Sequence, residues 1–260
     1  NDQSRSYILK RIGVTNKNYK KEIIKKLVDP VFNKNLKKVI YPLLYSQKKI
    51  IAPKFHQYTP IFYEVPLLFE ERLSKDFNYT KNFIQQNKDS AHLFLEKLTN
   101  ACFQYLKKQV HAGADAIQIF DSWANLLNEE EYDLYSMCYI KKLIALLKED
   151  EETSKIPIIL FARDPSFSTN KMTESNSDCL SLFWNIDKID KSYLQGKVAL
   201  QGNLNPKILL EDDNLIKAEL NKVLNIFSNY PGYIFNLGHG ITPDIDPDKI
   251  KFLTELIRSQ

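Results

Sequence analysis

Five short segments hold most of the residues in this chain that could do chemistry, and each follows an apolar run of strand length. They are Asp121-Ser122-Trp123, Arg163-Asp164, Trp184-Asn185, Gln201-Gly202-Asn203 and Gly238-His239-Gly240. His239 is the most pointed of them. With a glycine on each side, its ring has no neighbouring Cβ to screen it, and the backbone can bend sharply. Such a ring either reaches a ligand or satisfies carbonyls of its own loop. Ser122 lies in no G-x-S-x-G elbow, so a hydrolase nucleophile is disfavoured, leaving a ligand-binding hydroxyl or a strand-end cap. Gln201 and Asn203 flank a glycine, which suits close approach to a ligand or a tight turn. His56, His92 and His111 stand in helical or basic context and read as surface or packing residues.

Other chemistries find less support. Cys102, Cys138 and Cys179 are far apart, form no CxxC pair and have no histidine at zinc-ligand spacing, so they read as reduced, mostly packed thiols. No metal site is assigned. The chain has only seven glycines and neither GxGxxG nor GxxxxGK, which disfavours a nucleotide cofactor.

The elements that must carry these segments follow from periodicity. Strands are predicted over 59–65, 114–120, 156–162, 179–184, 197–200 and 233–237. A long helix is predicted to start at a cap in Lys88-Asp89-Ser90, with Leu93, Phe94, Leu98, Cys102, Tyr105 and Leu106 as its apolar face and Gly113 as its stop. Further helices are expected over 130–147, 213–227 and 247–257. Near-continuous apolar strands alternating with helices imply an α/β fold, with a parallel sheet covered on both faces. Chemistry in such folds gathers at the carboxyl ends of the strands, where the five segments fall. Periodicity alone does not separate a barrel from an open sheet.

Composition is compatible with a single domain of 260 residues, with 43% hydrophobic residues and a mean hydropathy of −0.36. No apolar run approaches the ~20 residues that span a bilayer. Residues 1–60 carry fourteen Lys or Arg against three acids, a charge of +11, which leaves −7 for the rest. A basic segment can attract anionic partners. Here the lysines alternate with Ile, Leu and Val at helical spacing, as over Tyr19–Leu27, and read as the solvated face of an amphipathic helix, with no nucleic acid expected. The chain begins with Asn1 rather than Met, which fits a processed, trimmed or partly observed product, a removed targeting segment included.

Three longer stretches carry a specific resemblance. Residues 109–124, QVHAGADAIQIFDSWA, resemble the helix-end and strand motif of the uroporphyrinogen decarboxylase family. Residues 198–206 resemble its LQGNLDP segment, with Asn205 in place of the usual aspartate, and residues 233–241 resemble its final strand and loop. The likeness is clear from about residue 59 and weak over 25–58. It implies a (β/α)8 TIM barrel, incomplete at its N-terminal side as given, with residues 1–260 forming one domain. It also implies a homodimer in the cytoplasm or a plastid, with no metal or organic cofactor. The implied reaction removes carbon dioxide from the four acetate side chains of uroporphyrinogen, giving coproporphyrinogen for haem and other tetrapyrroles. By resemblance, Ser122 and His239 match the family's substrate-binding serine and histidine. Asp121, Gln201 and Asn203 are candidates to line the cleft.

The departures bear on catalysis. The family's N-terminal MRQAGR and FSDI segments, the second with the aspartate under the pyrrole nitrogens, have no counterpart, so no catalytic residue is assigned. The GAPWTL…Y…EGG stretch is replaced by residues 63–77, without the family's tyrosine, and Phe183 stands where an aspartate usually precedes Trp184. Two expectations follow: an ordinary decarboxylase whose given chain lacks its first strands and a loop, or a catalytically silent relative acting as a binding or scaffold component of an assembly. A corrinoid-dependent methyltransferase of the same fold would need a zinc-binding His and Cys pattern that Cys179 lacks. Gly238-His239-Gly240 is expected to have little packing role, which favours the enzyme.

Overall fold

The computed structural model describes residues 55–58, 78–165, 169–185 and 189–259, and within them six strands make one sheet. The strands are β1 (Phe55–Tyr58), β2 (Ala116–Asp121), β3 (Ile158–Ala162), β4 (Cys179–Ser181), β5 (Ala199–Leu204) and β6 (Tyr233–Leu237). They stand side by side in chain order, and every neighbouring pair is parallel. A doubly wound sheet reverses its strand order at a switch point. No reversal occurs among the described strands, and this progression is the one that strands follow around a (β/α)8 barrel. The described sheet is an open arc of that fold.

Helices fill the crossovers. α1 (Asn78–Gln86) and α2 (Lys88–His111) precede β2. α3 follows it as Glu129–Tyr132, a π turn Asp133–Met137 and Cys138–Glu149. The short α4 (Thr169–Met172) and α5 (Lys191–Leu194) bracket β4, α6 (Asp213–Phe227) links β5 to β6, and α7 (Pro247–Arg258) comes last. Among the described helices none is long and apolar enough to cross a membrane.

Strand parity sorts the core. Ile117, Ile119, Ile158, Leu160, Leu180, Leu200 and Leu204 are buried in one hydrophobic cluster with Leu95 and Leu98 of α2, Ile140 and Leu143 of α3, and Ile216 and Leu220 of α6. Side chains alternate across a strand, so Gln118, Phe120, Ile159, Phe161, Cys179, Ser181, Gln201 and Asn203 point to the other, inner face. That face is partly polar: Gln201 Nε2 donates to Ser181 Oγ at 3.0 Å and lies 3.4 Å from Gln118 Oε1.

Several boundaries differ from expectation for physical reasons. The start of α2 is not capped from Lys88-Asp89-Ser90. α1 runs into α2 with only Asn87 between them, and the Asn87 side chain donates back to Phe83 O at 3.2 Å instead of capping. The helix does end before Gly113, at φ +99°. Gln201-Gly202-Asn203 is not a loop beyond a strand but the interior of β5, paired to β4 on one side and β6 on the other. The inward pleat gives Gln201 side-chain partners in Gln118 and Ser181, and Asn203 Nδ2 the Phe183 carbonyl. His56 lies in β1, which was not predicted, while the strand expected over 59–65 and the basic helix over Tyr19–Leu27 lie outside the described residues.

Replacing Leu160, fully buried in a strand flanked on both sides, with alanine should cost about 2–5 kcal/mol of stability. The same change at half-exposed Leu210 should stay within about 0.5 kcal/mol. Urea unfolding of the two variants checks the contrast, and equal losses would contradict the packing described.

Candidate active site

Because all six strands are parallel, their carboxyl ends share one edge, and the five chemistry-bearing segments come to that edge or just below it. His239 follows β6 and reaches back across the sheet. Its ring centroid lies 6.2 Å from Phe161 of β3, 6.3 Å from Phe183 and 5.9 Å from Trp184, each in an edge-on arrangement. Phe161 in turn meets Phe120 of β2 at 5.7 Å. The imidazole thus stands in an aromatic enclosure. Its Nδ1 is 3.3 Å from the Gly240 carbonyl, and since a carbonyl only accepts, Nδ1 carries the proton in this pose. Nε2 has no hydrogen-bond partner among the described residues.

Backbone contacts without Cβ atoms build this enclosure. Leu182 N donates to Gln201 O at 2.8 Å, and Asn203 Nδ2 donates to Phe183 O at 2.9 Å. Gly202 has φ +127°, and a Cβ there would lie 2.9 Å from Leu182 O. A Cβ on Gly238 would lie 2.6 Å from Trp184 N, while Gly238 N itself donates to Leu204 O at 2.7 Å. The expectation that Gly238-His239-Gly240 has little packing role is therefore corrected: Gly238 packs directly against the Trp184 backbone.

The other predicted residues divide. Ser122 sits half-buried in the turn after β2, and its hydroxyl has no hydrogen-bond partner among the described residues. Asp121 is 1% exposed, has the parity of Ile117 and Ile119, and accepts a short hydrogen bond from Ser136 Oγ in the π turn of α3. It ties α3 to β2 beneath the edge. Burial pushes its carboxyl up to about 6, and the Ser136 hydroxyl only partly opposes this. Gln201 is buried within the inner polar cluster. Asn203 is buried as well and reaches a cleft of about 690 Å3.

That cleft opens between the ends of β3, β4 and β5. Arg163, Trp184, Asn185, Asn203, Asn205 and Lys207 are among the residues that line it. The chain leaves β3 through Asp164, at φ +37°, and Arg163 stands over the Trp123 ring, 6.0 Å from its centroid. Phe161, Phe183 and Lys207 were not singled out from the sequence as ligand-facing. The parity of Phe161 on β3 was a usable signal, whereas Lys207 had none. Cys179 is buried and its thiol is pushed up to about 12, while Cys102 is buried and Cys138 exposed. Among the described residues no three of His, Cys, Asp and Glu gather as for a metal ion.

Residues 66–260 match the family model described as uroporphyrinogen decarboxylase (URO-D). The chain belongs to the uroporphyrinogen decarboxylase family. It is similar to the uroporphyrinogen decarboxylase of Chlorobaculum tepidum, with 36% identity over 91% of this chain and 69% of that protein. It is 39% identical to that of Alcanivorax borkumensis over 71% of this chain and 52% of the relative. The Chlorobaculum parvum protein gives 39% identity over 72% and 54%. The chain thus spans about half the length of most of these curated relatives. Membership fits the barrel-like strand order, and the departure at Phe183 acquires a structural meaning. Its ring packs on Trp184 at 3.7 Å and edge-on to His239, so an aromatic surface stands where the resemblance leads one to expect a carboxylate.

Gly238→Ala should destabilise the chain by about 1–3 kcal/mol and change the tryptophan emission, because the Trp184 backbone must retreat. Unaltered stability and emission in that variant would contradict the contact. For Asp121, the folded-state carboxyl is raised above its unfolded value, so its favourable contribution is complete below pH ~4 and is lost as pH rises through about 6. Asp121→Asn removes that titration. Unfolding free energies of wild type relative to this variant should fall by roughly 2–3 kcal/mol between pH 4 and 7, and a pH-independent difference would refute the buried acid.

Proposed function

We propose that this protein removes carbon dioxide from the acetate side chains of uroporphyrinogen to give coproporphyrinogen, within haem and tetrapyrrole synthesis. The observation that carries this reading is His239, its Nε2 unpartnered among the described residues inside an aromatic enclosure, near a cleft lined by Arg163, Lys207, Lys222 and several amides together with Asp164 and Glu219. A protonated imidazole at Nε2 and the Ser122 hydroxyl are groups that bind a substrate carboxylate. The rings of Phe161, Phe183 and Trp184 exclude water and strengthen that interaction.

The reaction itself needs an electron sink. A proton added to a pyrrole carbon gives a ring cation. The bond between the acetate methylene and its carboxylate then breaks, its electron pair flows into the ring, and carbon dioxide leaves. The resulting exocyclic methylene takes a proton to become a methyl group, and the ring carbon releases the first proton. Each cycle consumes one proton. Groups that hold the carboxylates and stabilise the ring cation lower the barrier.

The family resemblance further supports reading residues 1–260 as one barrel domain, working as a homodimer in the cytoplasm or a plastid.

Anaerobic incubation with uroporphyrinogen, followed by oxidation and chromatographic counting of the carboxyl groups, tests the activity. His239→Ala and Ser122→Ala should each lower kcat/KM by about tenfold or more, the loss of a hydrogen bond to a charged group. Turnover unchanged by His239→Ala would sink this site assignment. A folded wild-type protein that releases no carbon dioxide would sink the activity and leave a silent binding protein.

A further inference from the structure

The residues on both sides of Ser122 are pinned, whereas its own hydroxyl has no hydrogen-bond partner among the described residues. Asp121 precedes it and is almost fully buried. The Asp121 carbonyl accepts from Arg163 N at 2.9 Å, which ties the end of β2 to the end of β3. Its carboxylate accepts from Ser136 Oγ in the π turn of α3. Burial disfavours the charge on that carboxylate, and the Ser136 hydroxyl, the Trp123 main-chain N–H and the Tyr132 hydroxyl oppose this. The last two act by approach, since Asp121 Oδ1 completes no hydrogen bond of full geometry. A carboxylate facing the N–H two residues ahead shapes an Asx-type turn, and Ser122 is the residue in its middle. Beyond the turn, Leu126 N donates to Trp123 O at 3.0 Å and Ala124 is fully buried, so the exit is fixed as well.

A buried carboxyl is a costly way to join a strand to a helix. Ile117 and Ile119, with the same parity on β2, make that junction by apolar contact alone. What the acid adds is a grip on the turn after the strand. Asp121 is directed at α3, so it reaches a ligand only through Ser122. The position of a binding hydroxyl matters, because a displacement of about 1 Å in a reacting site can lower a rate by about a hundredfold.

We propose that Asp121 is a positioning residue for Ser122, holding the turn so that the hydroxyl meets a substrate carboxylate, with Ser136 of α3 as its anchor. This rests on the uroporphyrinogen reading above and adds the groups that keep Ser122 in place. The support runs from α3 through a buried acid to the strand edge, behind the surface that a ligand touches.

Anaerobic turnover of uroporphyrinogen by the full chain tests the role through a double-mutant cycle. Asp121→Ala should lower kcat/KM about fivefold, less than Ser122→Ala does, and should cause no further loss in the Ser122→Ala background. Asp121→Asn should restore most of the activity, because its amide oxygen can still face the Trp123 N–H while its NH2 donates to the Ser136 hydroxyl. Thermal unfolding supplies the contrast: the stability lost in Asp121→Ala should be equal in the two backgrounds, because the Ser122 hydroxyl bonds to neither anchor. If Asp121→Ala does not fold, Ser136→Ala removes a single hydroxyl and carries the same test, with a loss of about threefold that disappears in the Ser122→Ala background. Equal losses of kcat/KM in the two backgrounds would overturn the positioning role, as would full activity in Ser122→Ala or in both anchor variants. If that happens while the unaltered chain turns over uroporphyrinogen, this inference alone fails. A folded, unaltered chain that releases no carbon dioxide sinks the function proposed above and the positioning role with it.

Discussion

The site depends on one close contact, the seating of the backbone from Leu182 to Trp184 against Gly202 and Gly238. Neither glycine leaves room for a methyl group, since each added Cβ would fall within 3 Å of backbone atoms. The segment is held there by Gln201 O and Asn203 Nδ2. With it in place, Trp184 and Phe183 come beside the turn after β6, and His239 meets both rings. A looser fit would separate the imidazole from the aromatic surface that shields it. The position of His239 at the strand edge is therefore set by packing between main chains, not by the histidine's own preferences.

The two faces of the sheet obey different rules. The helix-facing side is apolar and continuous, as burial between strand and helix demands. The inner side mixes Phe120 and Phe161 with Gln118, Ser181, Gln201 and Asn203. Polar groups persist there because they find partners in neighbouring strands, and an unpartnered one stands out. Asp121 solves a related problem on the outer side. A carboxyl with the parity of Ile119 meets the Ser136 hydroxyl in a π turn of α3, a helical irregularity placed directly against the end of β2.

The cleft mixes charged, amide and aromatic groups. At the end of β4 an aromatic ring occupies the position where the resemblance calls for an acid. Two of the cations that line the cleft, Arg163 and Lys207, follow different strands, and Asp164 and Glu219 line it as well. Charge therefore comes to this edge from several loops, while the aromatic rings of Phe161, Phe183 and Trp184 stand around the imidazole.

Much was legible from the amino-acid order alone. The parallel α/β class, α6, β6 and the end of α2 before Gly113 follow from local patterning, because apolar periodicity and glycine stops are properties of a short window of chain. The family likeness was legible too, since its motifs are contiguous. What a short window cannot hold is parity and approach between distant strands. Whether the sheet runs in barrel order, that Gln201 to Asn203 lie inside β5, that Asp121 points to α3 while Asn203 points to the cleft, and that Gly238 is required by Trp184 were all decided by tertiary structure. Each depends on which backbone lies within a few ångströms of another, and residues tens of positions apart in the chain make those contacts.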